Sequence, residues 1–194
     1  MRIGVDLDGV VFDSEKEFRI LSELYDMLEL KQNSKIDNRE MLFEKRFAWS
    51  KEQSDEFFEK IIDEVVEKSN VMPGAKLVLQ MLKNEGNELV VITARGIENP
   101  EIIEVSNKAI KKNGLDLFDK YIYRAIDKAE DCKEENIDVM IDDSTDNCKK
   151  VSSIGVKTMY FKGAESFELP ESKCLKTVYN WGEVYRELGK SEIK

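Results

Sequence analysis

The sequence of 194 residues contains no histidine. This absence excludes Ser-His-Asp triads, histidine general bases, histidine-ligated zinc sites and H-E-x-x-H proteases. Cysteine is also scarce, and Cys132, Cys148 and Cys174 lack C-x-x-C spacing. The sequence therefore indicates neither a disulfide framework nor a zinc knuckle. Any chemistry must use carboxylates, lysine and hydroxyl groups.

Long apolar runs are missing too. None approaches the roughly 18 residues that span a bilayer, and the first residues lead directly into Asp6 and Asp8 rather than into the apolar stretch of a secretory leader. The 30 Lys plus Arg against 40 Asp plus Glu give a net charge of −10. An acidic chain is a poor generic partner for nucleic acid polymers and anionic membranes. We therefore expect a cytoplasmic protein with neither partner, and the oligomeric state stays open.

Short apolar runs alternate with helical patterns along the chain. The runs have the length and composition of buried strands and lie at residues 2–7, 89–92, 139–141 and 158–161. Apolar spacing of three and four residues predicts helices over 74–85 and 101–112. This alternation predicts an α/β fold: a Rossmann-like, three-layer core with a parallel sheet covered on both faces.

The segment between the first two predicted strands has helical periodicity only. One strand ends near residue 7 and the next begins at residue 89, a separation far longer than the roughly 30 residues of a whole βαβ unit. The surplus predicts a small helical cap over residues 14–72, inserted into a core formed by residues 1–13 and 73–194. Pro73-Gly74 is the expected point of re-entry into the core.

Polar side chains follow the predicted strands or lie close to their ends. They are Asp6 and Asp8, Thr93, Lys128, and Asp142 with Asp143. Because ligands of open α/β sheets bind at the carboxyl ends of the strands, we expect these groups to share one cleft. Clustered carboxylates repel one another unless a cation lies among them, and hard oxygen ligands favour Mg²⁺. Without histidine, a carboxylate is also the natural nucleophile.

Four short motifs resemble those of the haloacid dehalogenase superfamily. Asp6-Leu7-Asp8-Gly9-Val10 is similar to its motif I, and Val91-Ile92-Thr93-Ala94-Arg95 is similar to motif II. Lys128 is placed like motif III, and Ile141-Asp142-Asp143 resembles motif IV. The motifs occur in family order, and the expected insertion falls where this superfamily places its C1-type cap.

The resemblance implies a Mg²⁺-dependent phosphatase that acts in two steps. Asp6 would attack phosphorus and become an aspartyl phosphate. Asp8 would protonate the leaving oxygen and then deprotonate the hydrolytic water. Asp6, the backbone carbonyl of Asp8, and Asp142 would hold the metal, with Asp143 as an outer or alternative ligand.

The remaining roles that the resemblance implies concern the phosphate. Thr93 and Lys128 would bind its non-bridging oxygens, where charge must be stabilised in the transition state. The amides of Ala94 and Arg95, expected at a helix start, would add donors for the anion. The Arg95 side chain is a candidate for substrate contact, with a place on the cleft rim as the alternative.

Within the superfamily, the pattern most resembles the 5′(3′)-deoxyribonucleotidases and their bacterial relatives. This implies a 5′-nucleotidase acting on (deoxy)nucleoside monophosphates, although Ala94 departs from the serine of those enzymes. Phe47 and Trp49 in the cap are candidates for stacking on a base, with packing in the cap interior as the alternative reading of the cap aromatics. A sugar-phosphate or other metabolite phosphatase, and a catalytically weak phosphate-binding protein, are the alternative functions.

Overall fold

The computed structural model describes residues 1–163 and 166–189, so the last residues of the expected core, 190–194, lie outside the described part. Six parallel strands form one sheet in the order β3-β2-β1-β4-β5-β6. The strands are β1 (Arg2–Val5), β2 (Glu88–Ile92), β3 (Lys120–Ile122), β4 (Val139–Asp142), β5 (Lys157–Phe161) and β6 (Leu175–Val178). The predicted α/β class with a parallel sheet is confirmed.

Helices cover both faces of this sheet. They are α4 (Ala75–Asn84), α5 (Ile102–Lys112), α6 (Lys128–Glu134), α7 (Thr145–Ser153) and α8 (Trp181–Gly189). Successive strand residues point to opposite faces. Ile3 and Val5 therefore pack with α4, α5 and α8 in one apolar cluster. Val90, Ile92 and Met140 pack with α6 and α7 in a second cluster. The three-layer arrangement follows from this alternation.

Helix α4 illustrates how the helices are specified. Ala75, Val78, Leu79 and Leu82 lie at positions i, i+3, i+4 and i+7 and are all buried. Gly86 follows the helix at a φ of +82°, a conformation that glycine adopts without strain. The exposed side of the helix carries Lys76, Gln80 and Asn84 together with Leu77. Across residues 1–163 and 166–189, none of the helices combines the length and apolar character needed to cross a membrane.

The long connection between β1 and β2 is helical. It contains α1 (Ser14–Leu24), which continues as a π-helical turn over Tyr25–Glu29, followed by α2 (Phe43–Arg46) and α3 (Lys51–Lys68). Ser50 and Gln53 form a reciprocal capping box that starts α3. This segment has its own apolar interior, which includes Phe47, Trp49 and Phe57.

The two ends of the helical connection meet where it joins the sheet. The backbone amide of Asp13 donates to the carbonyl of Asn70 at 2.9 Å, and that of Met72 donates to Val11 at 2.8 Å. The two points at which the chain leaves the sheet for the helical connection and returns from it therefore lie side by side just beyond β1. On α3, Ile62 and Val66 pack against Ile102 of α5, which brings the helical connection over the carboxyl ends of the strands.

Candidate active site

The register of the two central strands brings three carboxylates together. Val5 of β1 lies beside Ile141 of β4, and the backbone amide of Asp6 donates to the Ile141 carbonyl at 3.0 Å. Asp6 therefore follows β1 at the level where Asp142 ends β4. One carboxylate oxygen from each of Asp6, Asp142 and Asp143 lies within 4.8 Å of the others. Asp6 and Asp142 are buried.

Lys128 lies between two of these carboxylates. It is the first residue of α6, which Asp127 caps by accepting hydrogen bonds from Ala129 and Glu130. The Lys128 ammonium is 2.9 Å from Asp6 Oδ2 and 2.7 Å from Asp142 Oδ2, and its side chain is only 3% exposed. The start of α6 thus places one buried cation between the carboxylates of Asp6 and Asp142.

Burial and neighbouring charges shift the pKa values of Asp6, Asp143 and Lys128. Burial raises the pKa of Asp6 to about 6, with Lys128 acting in the opposite direction and Asp142 adding to the rise. Burial, followed by the charges of Asp6 and Asp142, raises the pKa of Asp143 well above its usual value. Burial disfavours the Lys128 ammonium, but the two carboxylates raise the pKa of Lys128 overall, so this group stays charged.

Gly9 allows the carboxylate of Asp143 to approach the loop after β1. Its φ is +67°, and a Cβ at this position would lie 1.9 Å from Asp143 Oδ2 and 2.6 Å from its Cγ. A side chain here would be strained by the backbone conformation and would also displace the carboxylate. The glycine that follows Asp8 in the sequence is therefore part of the architecture of the site.

The cluster formed by the carboxylates of Asp6, Asp142 and Asp143 fits a hard divalent cation. Three carboxylates crowd within 4.8 Å, and Lys128 compensates only part of their charge. Oxygen ligands of this kind are the donor set that Mg²⁺ takes in proteins. Asp6 and Asp142 were expected among the ligands. Asp143, expected as an outer or alternative ligand, offers its oxygen to the same group.

Asp8 is held apart from this group by other partners. Arg95 binds it through two hydrogen bonds, Nε to Oδ2 at 2.9 Å and Nη2 to Oδ1 at 2.7 Å, and the Ser14 hydroxyl donates to Oδ1 at 2.6 Å. Burial alone would raise the pKa of Asp8, but Arg95 and Ser14 lower it overall. The Arg95 guanidinium also donates to Ser106 and lies over the Phe12 ring.

The loop after β2 contains Thr93, Ala94 and Arg95. Thr93 is buried, its amide donates to the carbonyl of Ile122 at the end of β3, and its carbonyl accepts from the amide of Ala125. The expectation that the Ala94 and Arg95 amides open a helix was wrong, because residues 94–97 form a turn and α5 begins at Ile102. The Arg95 amide instead donates a long hydrogen bond of 3.4 Å to the Thr93 hydroxyl.

A cavity of about 410 Å³ adjoins Asp8 and Asp143. The helical connection contributes Phe18, Phe43 and Phe58 to its wall, and the loop before α5 contributes Ile97. The rings of Phe18 and Phe58 are stacked, with centroids 6.0 Å apart and an interplanar angle of 14°. The wall is therefore largely apolar and partly aromatic.

The structure does not bring Phe47 and Trp49 to this cavity. Both are buried in the interior of the helical connection, where their rings stack at 4.5 Å. The aromatic residues that reach the cavity are neighbours of that interior on the surface of α1, α2 and α3. Phe18 lay on an apolar stripe of the sequence, so periodicity alone gave no signal for its position at a cavity.

Comparison with solved structures identifies the type of fold. The sequence matches no protein-family model and no curated protein. Among solved structures, it is similar to a haloacid dehalogenase-like family hydrolase from Streptococcus pneumoniae, with 16% identity, a TM-score of 0.70, and coverage of 96% of this chain and 97% of that one. A predicted phosphoglycolate phosphatase from Haemophilus somnus has 16% identity, a TM-score of 0.62 and coverage of 96% of each chain.

A third structure was solved with a bound sugar phosphate. It is a mutant of CbbY from Rhodobacter sphaeroides in complex with xylulose-(1,5)bisphosphate, with 13% identity, a TM-score of 0.64, and coverage of 94% of this chain and 95% of that one. At these identities the likeness is one of fold, and it extends over nearly the whole of each chain. This chain has the fold of haloacid dehalogenase-like hydrolases.

Proposed function

We propose that this chain is a Mg²⁺-dependent phosphatase that hydrolyses a small phosphomonoester, with a (deoxy)nucleoside monophosphate as the preferred substrate. The observation that carries the proposal is the meeting of Asp6, Asp142 and Asp143 at the ends of β1 and β4, with the buried Lys128 ammonium between two of them. The fold shared with haloacid dehalogenase-like hydrolases and phosphatases supports it.

Asp6 is the nucleophile in this proposal. One of its carboxylate oxygens bonds to phosphorus, and the bond from phosphorus to the alcohol oxygen breaks. Water then attacks the aspartyl phosphate, which releases inorganic phosphate and restores the carboxylate. Asp6, the backbone carbonyl of Asp8, and Asp142 would hold Mg²⁺, with Asp143 as a further ligand. The bound metal would neutralise charge on the phosphoryl oxygens.

Lys128 and the loop after β2 complete the phosphate site. Lys128 remains charged at neutral pH and lies beside the nucleophile, so its ammonium stabilises negative charge that develops on the phosphoryl group. The hydroxyl of Thr93 and the amide of Ala94 serve as further donors to the non-bridging oxygens. Ala94 is exposed and lines the cavity, which supports this role.

Asp8 is the proton carrier. It gives a proton to the leaving alcohol oxygen in the first step and takes one from the attacking water in the second. The hydrogen bonds from Arg95 and Ser14 favour its carboxylate form. Arg95 must therefore loosen its hold on Asp8 before the first transfer, and substrate in the adjoining cavity is the natural trigger because Arg95 lines it.

Residues 14–72 act as a cap over a core of residues 1–13 and 73–194. The paired chain crossings at Asp13 and Met72 support this division, as does the separate apolar interior of the helical connection. The cavity draws its wall from both parts, so closure of the cap would enclose the alcohol half of the substrate and exclude bulk water. The stacked rings of Phe18 and Phe58 would pack against a nucleoside base.

A sugar phosphate is the second candidate substrate. The bound xylulose-(1,5)bisphosphate of the CbbY structure favours it, because that protein has the same fold. A panel of nucleoside monophosphates and sugar phosphates separates the two candidates. Preference for the nucleotides would support a nucleotidase, and a flat profile or preference for sugars would count against it.

The chemistry itself is tested with a generic aryl phosphate. Purified protein should release phosphate from 4-nitrophenyl phosphate only when Mg²⁺ is present. Asp6→Asn should reduce this release to background, whereas Asp146→Asn, a change at a largely exposed carboxylate on α7, should leave it intact. Activity that survives in Asp6→Asn would reject the mechanism. Binding of Mg²⁺ without turnover of any ester would favour a phosphate-binding protein.

A further inference from the structure

The cavity beside Asp8 and Asp143 carries an excess of negative charge. Six carboxylate residues and two cationic residues line it: Asp8, Glu15, Glu44, Asp55, Glu98 and Asp143 against Lys51 and Arg95. The rest of the wall is apolar or uncharged. A group that enters this cavity beyond the phosphate site therefore meets apolar surface and carboxylates.

Both cations of the cavity wall are already paired with carboxylates of the same wall. Arg95 is fixed by its two hydrogen bonds to Asp8. Lys51 forms an ion pair with Asp55, its i+4 neighbour on α3. Both positive charges of the wall are therefore already offset by carboxylates.

Besides Asp143, which belongs to the cluster with Asp6 and Asp142, two carboxylates of the wall form no ion pair among the described residues. Glu44 is on α2, in the helical connection, and Glu98 is in the loop between β2 and α5. The hydrogen bond to Asp55, supported by the charges of Glu44 and Glu98, raises the pKa of Lys51. These two carboxylates thus add negative charge to the surroundings of Lys51.

We propose that this cavity accepts phosphomonoesters whose alcohol is uncharged and apolar, and that Glu44 and Glu98 reject alcohols carrying a carboxylate or a second phosphate. The inference rests on the proposed phosphatase function and adds the substrate class. A like charge placed beside these carboxylates is disfavoured, so discrimination by repulsion needs no dedicated contact. A nucleoside meets the requirement for an uncharged alcohol and offers the aromatic face of its base to the apolar wall. The names of two comparison structures contain phosphoglycolate and xylulose-(1,5)bisphosphate. Neither compound meets the requirement, because the first carries a carboxylate and the second carries a second phosphate.

The test uses two esters that differ in charge and hardly in size, 4-carbamoylphenyl phosphate and 4-carboxyphenyl phosphate. Phosphate release by the full chain with saturating Mg²⁺ gives kcat/KM for each. We expect the carboxamide to be preferred by about 10-fold to 100-fold. The preference should shrink as NaCl is added, because salt screens charges at a partly open cavity.

The double variant Glu44→Gln with Glu98→Gln should reduce the preference to about threefold or less, chiefly by raising kcat/KM for the carboxylate ester. Its matched control is Glu59→Gln with Glu101→Gln. These two carboxylates are exposed on α3 and just before α5 and do not line the cavity. The control should keep the full preference.

The outcomes separate this inference from the function on which it rests. Hydrolysis of neither ester would overturn the proposed function and the inference with it. Equal kcat/KM for both esters in the unmodified chain would leave the phosphatase standing and overturn the inference. A strong preference that the Glu44 and Glu98 changes leave untouched, or that the control pair also removes, would equally refute the role of these two residues.

Discussion

Replacement of Lys128 by methionine removes the buried ammonium from the cluster of Asp6, Asp142 and Asp143. An apolar side chain of similar length remains in its place. At an effective dielectric constant of about 20, each contact of the ammonium with Asp6 and Asp142, at 2.9 and 2.7 Å, contributes roughly 6 kcal/mol of attraction. Desolvation of the buried ions offsets much of that gain. Removal of one partner from a buried ion pair costs about 3–5 kcal/mol. We expect a loss of this size in the free energy of unfolding without Mg²⁺.

Urea denaturation measures this loss. With a slope of about 2 kcal/mol per molar, the midpoint should fall by roughly 1.5–2.5 M in Lys128→Met. Saturating Mg²⁺ should recover a large part of the difference, because the three carboxylates are more negative without the ammonium and Mg²⁺ should bind the folded variant more tightly than the unmodified chain. Lys149→Met is the matched control, since Lys149 forms only an exposed pair with Asp146. It should change the midpoint little.

Two results would refute the reasoning. A midpoint unchanged in metal-free Lys128→Met would mean that the ammonium does not hold the carboxylates together. Destabilisation that Mg²⁺ leaves untouched would mean that the three carboxylates do not form a cation site. Phosphatase activity of the variant should fall at least about 100-fold, because the positive charge beside the phosphoryl group is lost.

The remaining predictions concern the loop after β1, the helical connection and the thiols. Gly9→Ala should weaken Mg²⁺ binding at least about tenfold by calorimetry, since its Cβ would displace the adjacent carboxylate. Asp26→Ala should cost about 2–3 kcal/mol of unfolding free energy at pH 7, and the difference from the unmodified chain should begin to shrink below about pH 3.9 and fall further as the pH passes through the lower folded pKa. Iodoacetamide should alkylate Cys174 in the folded protein and spare Cys132 and Cys148, which mass spectrometry will show.

The sign of the Asp26 prediction follows from its contacts. Burial alone would raise the pKa of Asp26, but hydrogen bonds from Ser34 and from Trp49 Nε1 lower it overall. A carboxyl whose pKa is lower in the folded state stabilises the fold above its unfolded pKa. That contribution is lost as the pH falls through the folded value. For Cys132, burial raises the thiol pKa to about 12, which adds to its inaccessibility.

The central strands could be predicted from the sequence, and the edge strands could not. β1, β2, β4 and β5 are continuous apolar runs because both faces are covered. β3 has only three residues, and β6 has four, of which only the first and the last are buried. Such short edge segments become strands because a neighbouring strand is available for pairing, which is a tertiary effect that local propensity does not contain.

The meeting of Asp6, Asp142 and Asp143 could be predicted for the same reason. Their position is set by the register of adjacent strands, and a residue that follows a strand must lie at the edge of the sheet. The pairing of Asp8 with Arg95 joins residues 87 positions apart and depends on the turn after β2. Sequence spacing offered no sign of it, and the rule for strand ends does not apply to side chains that turn away from the sheet.

The cavity depends on the packing of helices and not on the register of the strands. Phe18 and Phe47 both belong to apolar patterns, yet one lines the cavity and the other is buried in the helical connection. Phe18 reaches the cavity beside Ile62 of α3, which packs against Ile102 of α5. The three carboxylates are positioned by sheet register and the cavity by the packing of helices. A sequence can therefore indicate the chemistry of such a site while its choice of alcohol is determined only in the folded molecule.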